Sequence, residues 1–207
     1  MQDAKRYMEP VMTGNKIGAF FKTSLMAFCL VAICAGCASY QEAYQRTPSG
    51  VIEEKELPEA RVLQAEFKDD YFSSRAPDLL FSRLYNYIQR WRLAMTVPVE
   101  ADPGVKLSAM RFYLDTADQE KELRDSSDVK IIKKDKRTVI SAGDWGSYSY
   151  ENICNTREKL KKWVKGHPEY VRKSEPYAVF WNSPFTLPIF KRYEIHVEVN
   201  KVKLPEE

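Results

Sequence analysis

The sequence predicts an α+β domain of eight strands and two helices, carried behind an export signal. Three observations predict it. Short runs rich in β-branched and aromatic residues alternate apolar and polar side chains, the two-residue period of half-buried strands. Two longer segments repeat apolar residues at helical spacing. The two halves also keep one order, strand-strand-helix-strand-strand, and align at an offset of 76: Leu63 on Val139, Leu84 on Leu160, Tyr87 on Trp163 and Ile88 on Val164.

The N-terminus comes first. Leu25–Ala35 is an unbroken apolar run of 11 residues, preceded by Lys16 and Lys22 and followed by Gly36-Cys37. A basic flank, a short apolar core and small residues at its end form a signal peptide. The run is too short for a permanent membrane helix, which needs about 20 apolar residues. Cys34-Ala35-Gly36-Cys37 resembles a lipobox of bacterial lipoproteins, in which the peptidase cuts before the last Cys and its thiol carries a diacylglyceryl group. Residues 1–36 are therefore read as a signal peptide and Cys37 as the lipidation site. Cleavage there would leave 171 residues, Cys37 to Glu207, with Cys154 as the only unacylated thiol and no intramolecular disulfide. The charge would fall from +3 to +1, which carries no basic excess suited to nucleic acid. Residues 37–50 are polar without a period and read as a tether, with a single folded domain over 51–201 and a tail over 202–207.

Val51–Leu57 and Arg61–Phe67 are the first strands, separated at Pro58. A helix follows over Ala76–Arg90, with Pro77 in its first turn, where a missing N–H costs nothing. Its core face is Leu80, Leu84, Tyr87, Ile88 and Trp91. Leu93–Val99, ending around Pro98, and Ser108–Leu114 complete the first half. In the second half the strands are Val129–Ile132 and Thr138–Ala142. Ser149 caps a helix whose stripe is Ile153, Leu160, Trp163 and Val164, and Gly166 and Pro168 end it. Tyr177–Trp181 and Phe190–Val199 close the chain, with Glu194, His196 and Glu198 expected on a charged, solvated face. Lys130 to Arg137 reads as a solvated hairpin turn.

Several segments resemble the SOUL haem-binding protein family. They are Leu93-Ala94-Met95-Thr96-Val97-Pro98-Val99, Met110-Arg111-Phe112-Tyr113-Leu114, and Ser183-Pro184-Phe185-Thr186-Leu187-Pro188 followed by Lys191-Arg192-Tyr193-Glu194-Ile195. The set occurs in the family's order across Val51 to Val199. Two departures stand out: Gln89-Arg90-Trp91-Arg92 joins helix and strand directly, and Tyr193 replaces the usual Asn. The resemblance implies a distorted eight-stranded antiparallel β-barrel flanked by two helices, with an internal pseudo-twofold. It also implies a non-covalently bound haem or other tetrapyrrole, in a pocket along the first helix and the loop before the last strand.

Haem needs an apolar wall, cations or N–H donors for its propionates and, for ligation, a His, Met, Cys or Tyr. Phe81 and Tyr85, at i and i+4, can form the wall, and Asn86 beside them can meet a polar edge. Phe185, Leu187 and Ile189 can form the opposite lip, and Arg83, Arg90, Arg92, Lys191 and Arg192 are candidate propionate partners. The ligation set is poor. His167 and His196 are the only histidines, Met95 and Cys154 read as core residues, and no metal site is expected. Catalytic fingerprints such as Gly-x-Ser-x-Gly, His-Glu-x-x-His or a phosphate loop are absent. The expectation is a non-catalytic tetrapyrrole binder anchored in the cell envelope, at the outer membrane and facing the periplasm. The alternative is an envelope scaffold that binds a protein or another small apolar ligand with the same barrel.

Overall fold

The computed structural model describes residues 40–72 and 75–203. The expected signal peptide, Cys37 and the last four residues of the expected tail lie outside the described residues. The strands are β1 (Gln41–Glu42), β2 (Ile52–Leu57), β3 (Ala60–Phe67), β4 (Thr96–Val97), β5 (Val99–Asp102), β6 (Ser108–Tyr113), β7 (Lys130–Lys134), β8 (Arg137–Trp145), β9 (Tyr170–Arg172), β10 (Tyr177–Phe180) and β11 (Arg192–Lys201). The helices are α1 (Ala76–Trp91) and α2 (Tyr150–Lys165).

One antiparallel sheet runs β2-β8-β11-β10-β5-β6-β3-β7, with β9 paired to the end of β11. Two tight links, Pro58-Glu59 and Asp135-Lys136, join β2 to β3 and β7 to β8. Each link connects strands near opposite ends of that order. A two-residue link spans at most about 11 Å, whereas six strand spacings in a flat sheet cover about 29 Å. The sheet must therefore curl until its ends converge. Its edges β2 and β7 do not pair, so the expected distorted barrel is an open half-barrel.

The strand order carries the expected pseudo-twofold. Its centre is the β10–β5 pair, each half contributes a ββαββ unit, and the first strand of each half pairs with the second strand of the other. Helix α1 lies on β3 and β6, and α2 on β8 and β11. Both helices bury apolar stripes in one core: Leu80, Leu84 and Ile88 from α1, Ile153 and Leu160 from α2, against Leu63, Phe112, Ile140, Phe180 and Ile195 from the sheet. Ala65, Ala101, Ala142 and Ala178 give this outer face a row of small residues where the helices approach. Ser149 caps α2 as expected, its hydroxyl accepting from the Asn152 amide. Helix α1 ends with Arg92 in the left-handed region (φ 49°).

The structure departs from the sequence reading in three places. The strand expected to stop at Pro98 resumes as β5, which becomes the central strand, because proline interrupts one ladder but the alternation continues through Val99–Asp102. Glu194 and His196, expected on a solvated face, are fully buried, and Lys134 and Arg137 of the supposed solvated turn are mostly buried too. These residues line the inside of the half-barrel. Curvature alone brings Lys134 of β7 and Arg137 of β8 to Glu100 of β5, three strands away on either side. Finally, Tyr40–Gly50 is no free tether. Its β1 pairs with β4, Thr47 is buried, and the Tyr44 ring packs edge-on against Tyr113 and Trp181 inside the half-barrel.

Candidate functional site

Two places concentrate chemistry, the outer face between the helices and the inside of the half-barrel.

On the outer face, Phe112, Val99 and Phe180 stand opposite one another across β6, β5 and β10. The Phe81 ring packs edge-on against Phe112, with centroids 5.3 Å apart. Tyr85 stacks on Phe81 at 5.9 Å with planes 12° apart, and is 43% exposed. Arg83 reaches the β3–β7 side, donating to the Glu66 carbonyl at 2.8 Å and lying 3.5 Å from Asp128. Phe81 lies two residues, about 200° of helix rotation, from Arg83. The aromatic pair therefore faces the other way, toward β5 and the space between the helices. On the far side the Tyr148 ring lies 4.4 Å from Phe180, and the Lys191 amine sits 4.8 Å over Tyr148. Burial pushes the Tyr148 hydroxyl up to about 12, so it stays protonated and donates to the Asn182 and Arg192 carbonyls. The result is an aromatic shelf formed by Phe81 and Tyr85 on α1, over sheet residues that are themselves buried (Phe112 1%, Val99 9% and Phe180 7% exposed), with the Tyr148–Lys191 group beyond Phe180.

The structure thus places Phe81, Tyr85 and Lys191 at one level of the sheet. Phe185 and Leu187 stand 93% and 63% exposed at the tip of the β10–β11 loop. Arg83 is committed elsewhere, and Asn86 is exposed beside Tyr85. Arg192 donates to the Ile189 and Lys191 carbonyls. Among the described residues Arg90, Arg92, Lys191 and Arg192 make no ion pair. Sequence reasoning missed Tyr148, which has no motif or helical register to announce it. One signal was available: the offset that superposes the helices puts Arg157 and Lys161 where Phe81 and Tyr85 stand, so the aromatic stripe belongs to one half only.

Each histidine has one ring nitrogen engaged. His167 stacks on Trp163 at 3.6 Å, and its Nδ1 lies 2.7 Å from the Trp163 carbonyl. His196 is fully buried with Nε2 2.5 Å from Glu194. Burial favours its neutral form, and the Glu194 carboxylate only partly opposes that. No group of three or more His, Cys, Asp or Glu able to hold a metal is present among the described residues.

Inside the half-barrel, Glu100 accepts from the Tyr113 hydroxyl at 2.5 Å, Lys134 at 2.7 Å and Arg137 at 3.1 Å. Burial alone would raise its pKa, but Lys134, Arg137 and Arg111 outweigh that and hold it at about 2. Glu194 likewise accepts from the Thr47 amide, Ser141 and Lys55; burial would raise its pKa, but the hydrogen bond with His196 first, then Lys55 and the Thr47 amide, outweigh that and hold it at about 2. Both stay ionised at neutral pH as counter-ions rather than proton donors. Tyr44 fills the space beside them. The hydroxyls of Tyr44 and Tyr177, Trp181 Nε1 and His196 Nδ1 are buried there with no hydrogen-bond partner among the described residues. A groove between α2 and β11, lined by Leu160, Val164 and Val197, holds about 170 Å³, below the roughly 300 Å³ at which ligand cavities begin. A second, about 370 Å³, is polar and runs between the N-terminal segment and Glu53–Glu56. Neither has the aromatic wall of the shelf.

No curated protein matches this chain. Solved structures do. The EcmrR C-terminal domain superposes with a TM-score of 0.60 at 16% identity, covering 73% of this chain and 98% of that one. A hydrolase from Listeria innocua gives 0.53 at 13% identity, covering 78% and 100%. A further Listeria innocua hydrolase gives 0.51 at 15%, covering 74% and 94%. At such identities the likeness is one of fold alone. A family model extends over residues 36–198, nearly the whole half-barrel with both helices and the aromatic shelf, and by that match the chain belongs to the SOUL heme-binding protein family.

Proposed function

We propose that this protein is a lipid-anchored envelope protein that binds haem or a related tetrapyrrole non-covalently and without catalysis. Family membership supports the ligand class. The single observation that carries the site is the parallel Phe81–Tyr85 pair, with Tyr85 43% exposed and Phe81 packed on the buried Phe112. A tetrapyrrole supplies a flat apolar ring and acidic side chains. The rings of Phe81 and Tyr85 would hold the first. Arg90 and Arg92, which make no ion pair among the described residues, would meet the second. His196 is buried inside the half-barrel and His167 packs on Trp163 and Tyr170 at the end of α2, so the reading rests on ring burial and charge pairing.

A haemin titration of the detergent-solubilised full chain tests this reading. The expected result is a saturable Soret shift near one equivalent, weakened roughly tenfold or more in Phe81→Ala/Tyr85→Ala, as loss of two stacking rings implies. An unchanged titration in the double variant would move the site elsewhere. No saturable shift at all would favour the scaffold reading. The anchor has its own test: metabolic fatty-acid labelling should mark the wild type and not Cys37→Ser. Equal labelling of both would remove it.

A further inference from the structure

The β10–β11 loop carries an exposed apolar cluster that the tetrapyrrole reading leaves unused. Phe185 is 93% exposed, Leu187 63%, Ile189 60% and Phe190 59%. Single exposed apolar side chains are ordinary, but four within six residues form a patch that calls for a partner. The loop is not loose. Lys191 Nζ donates to the Pro184 carbonyl at 2.7 Å, the Thr186 amide to Ser183 at 3.0 Å and the Phe190 amide to Leu187 at 2.9 Å, while Asn182 Oδ1 accepts from the Arg192 amide at 2.7 Å. The apolar tips are thus held outward by built contacts, which lowers the ordering cost of binding.

We infer that this loop docks the domain onto an anionic phospholipid bilayer, with Phe185, Leu187, Ile189 and Phe190 entering the interface and Lys191 and Arg192 meeting lipid phosphates. Three observations select a bilayer over other partners. No acidic residue occurs between Asn182 and Arg192. Among the described residues, the two cations at the loop's end have neutral carbonyl groups and the Tyr148 ring as their side-chain partners. Trp145, opposite Arg192 in the β8–β11 register, is 54% exposed. Aromatic and aliphatic tips bordered by Trp and basic residues are the composition of interfacial anchors.

A fourth argument is position. The loop leaves the sheet just after Phe180, which pairs with Val99. Two residues before Val99, Val97 holds the start of the described chain: Glu42 pairs with it and the Ala43 amide donates to its carbonyl at 2.8 Å. Tyr44 and Val97 pack together with Trp181. The first described residues and the loop therefore share one end of the sheet. Cys37 precedes Tyr40 by three residues, a reach of at most about 11 Å. This orientation rests on acylation at Cys37 as proposed above; an acyl chain there brings this end of the domain to the membrane. At the opposite end, the β5–β6 turn also exposes apolar side chains, Val105 at 75% and Leu107 at 49%, and serves as an internal control.

The test uses the full chain, purified from membranes and reconstituted into phosphatidylcholine–phosphatidylglycerol vesicles that contain a photoactivatable phospholipid. Lipid adducts are mapped by mass spectrometry, and intact mass reports acylation separately. The expected adducts fall on residues 183–190 and not on 103–107. Phe185→Ser/Phe190→Ser should lower them by at least roughly tenfold, the effect of withdrawing even one of two buried rings. An acylated protein with no adducts on the loop, or with equal adducts on both ends, would overturn the docking inference and leave the anchor intact. Adducts on the loop of an unacylated protein would overturn the anchor alone. Loop-to-loop cross-links formed on adding a bifunctional protein cross-linker to the same vesicles, in place of lipid adducts, would assign the patch to a second copy and overturn the inference.

Discussion

Replacing Glu100 by Gln removes one negative charge from inside the half-barrel and almost no volume. Lys134, Arg137 and Arg111 would then face one another around a neutral amide. The magnitude follows from the wild-type carboxyl, held at about 2 against an ordinary 4.5. At 1.36 kcal/mol per pKa unit, its ionised form contributes about 3 kcal/mol to folding at neutral pH. Glu100 is fully buried, so little of this is lost to solvent screening. The figure agrees with the roughly 3–5 kcal/mol cost of removing one partner from a buried pair. Denaturant unfolding followed by tryptophan fluorescence measures it, at pH 7 and at steps down to pH 2. A depressed carboxylate contributes stability that is present above 4.5 and lost as pH falls toward 2. The gap between wild type and Glu100→Gln should therefore be about 3 kcal/mol at pH 7 and close on acidification through that window. Glu194 titrates over the same range in both proteins and cancels from the gap. A gap below about 1 kcal/mol at pH 7, or one unchanged by acid, would refute the account of the charged interior.

The remaining predictions concern the N-terminal segment. A Cβ on Gly143 would lie 2.4 Å from the Pro48 carbonyl oxygen and 2.7 Å from that of Thr47. Gly143→Ala should cost about 1–3 kcal/mol and selectively release this segment, raising hydrogen exchange at the Thr47 amide that Glu194 holds; unchanged protection there would contradict the packing. Tyr44→Ala withdraws a ring lying 5.5 Å from Tyr113 and 5.7 Å from Trp181, and should cost about 3–5 kcal/mol in urea unfolding. Tyr85→Ala, at a half-exposed position, should cost under about 1 kcal/mol in the same assay, so equal losses would show that Tyr44 is no interior plug.

Much of the fold was legible in the chain. The alternation of Tyr193, Ile195, Val197 and Val199 located the last strand, and the helical stripe through Leu80, Leu84 and Ile88 placed α1 against the sheet. Periodicity is local, so it survives in one dimension. Of the site, the Phe81–Tyr85 pair was legible for the same reason, because i and i+4 share a helix face. Tyr148 was not, because it sits before α2 and meets Phe180 only through the fold.

What the sequence determined by itself is the set of elements, their repeated order and which face of each seeks an apolar neighbour. The tertiary structure decided what the polar faces do. Glu194, His196, Lys134 and Arg137 read as solvated because a polar face on one strand normally meets water. Here the sheet curls so far that strands three places apart close over that face, and Tyr44 seals it from a segment whose composition reads as a tether. Curvature is a property of the whole sheet, set by two-residue links between its distant strands. No single strand carries it, so burial of these charges could be settled only in three dimensions.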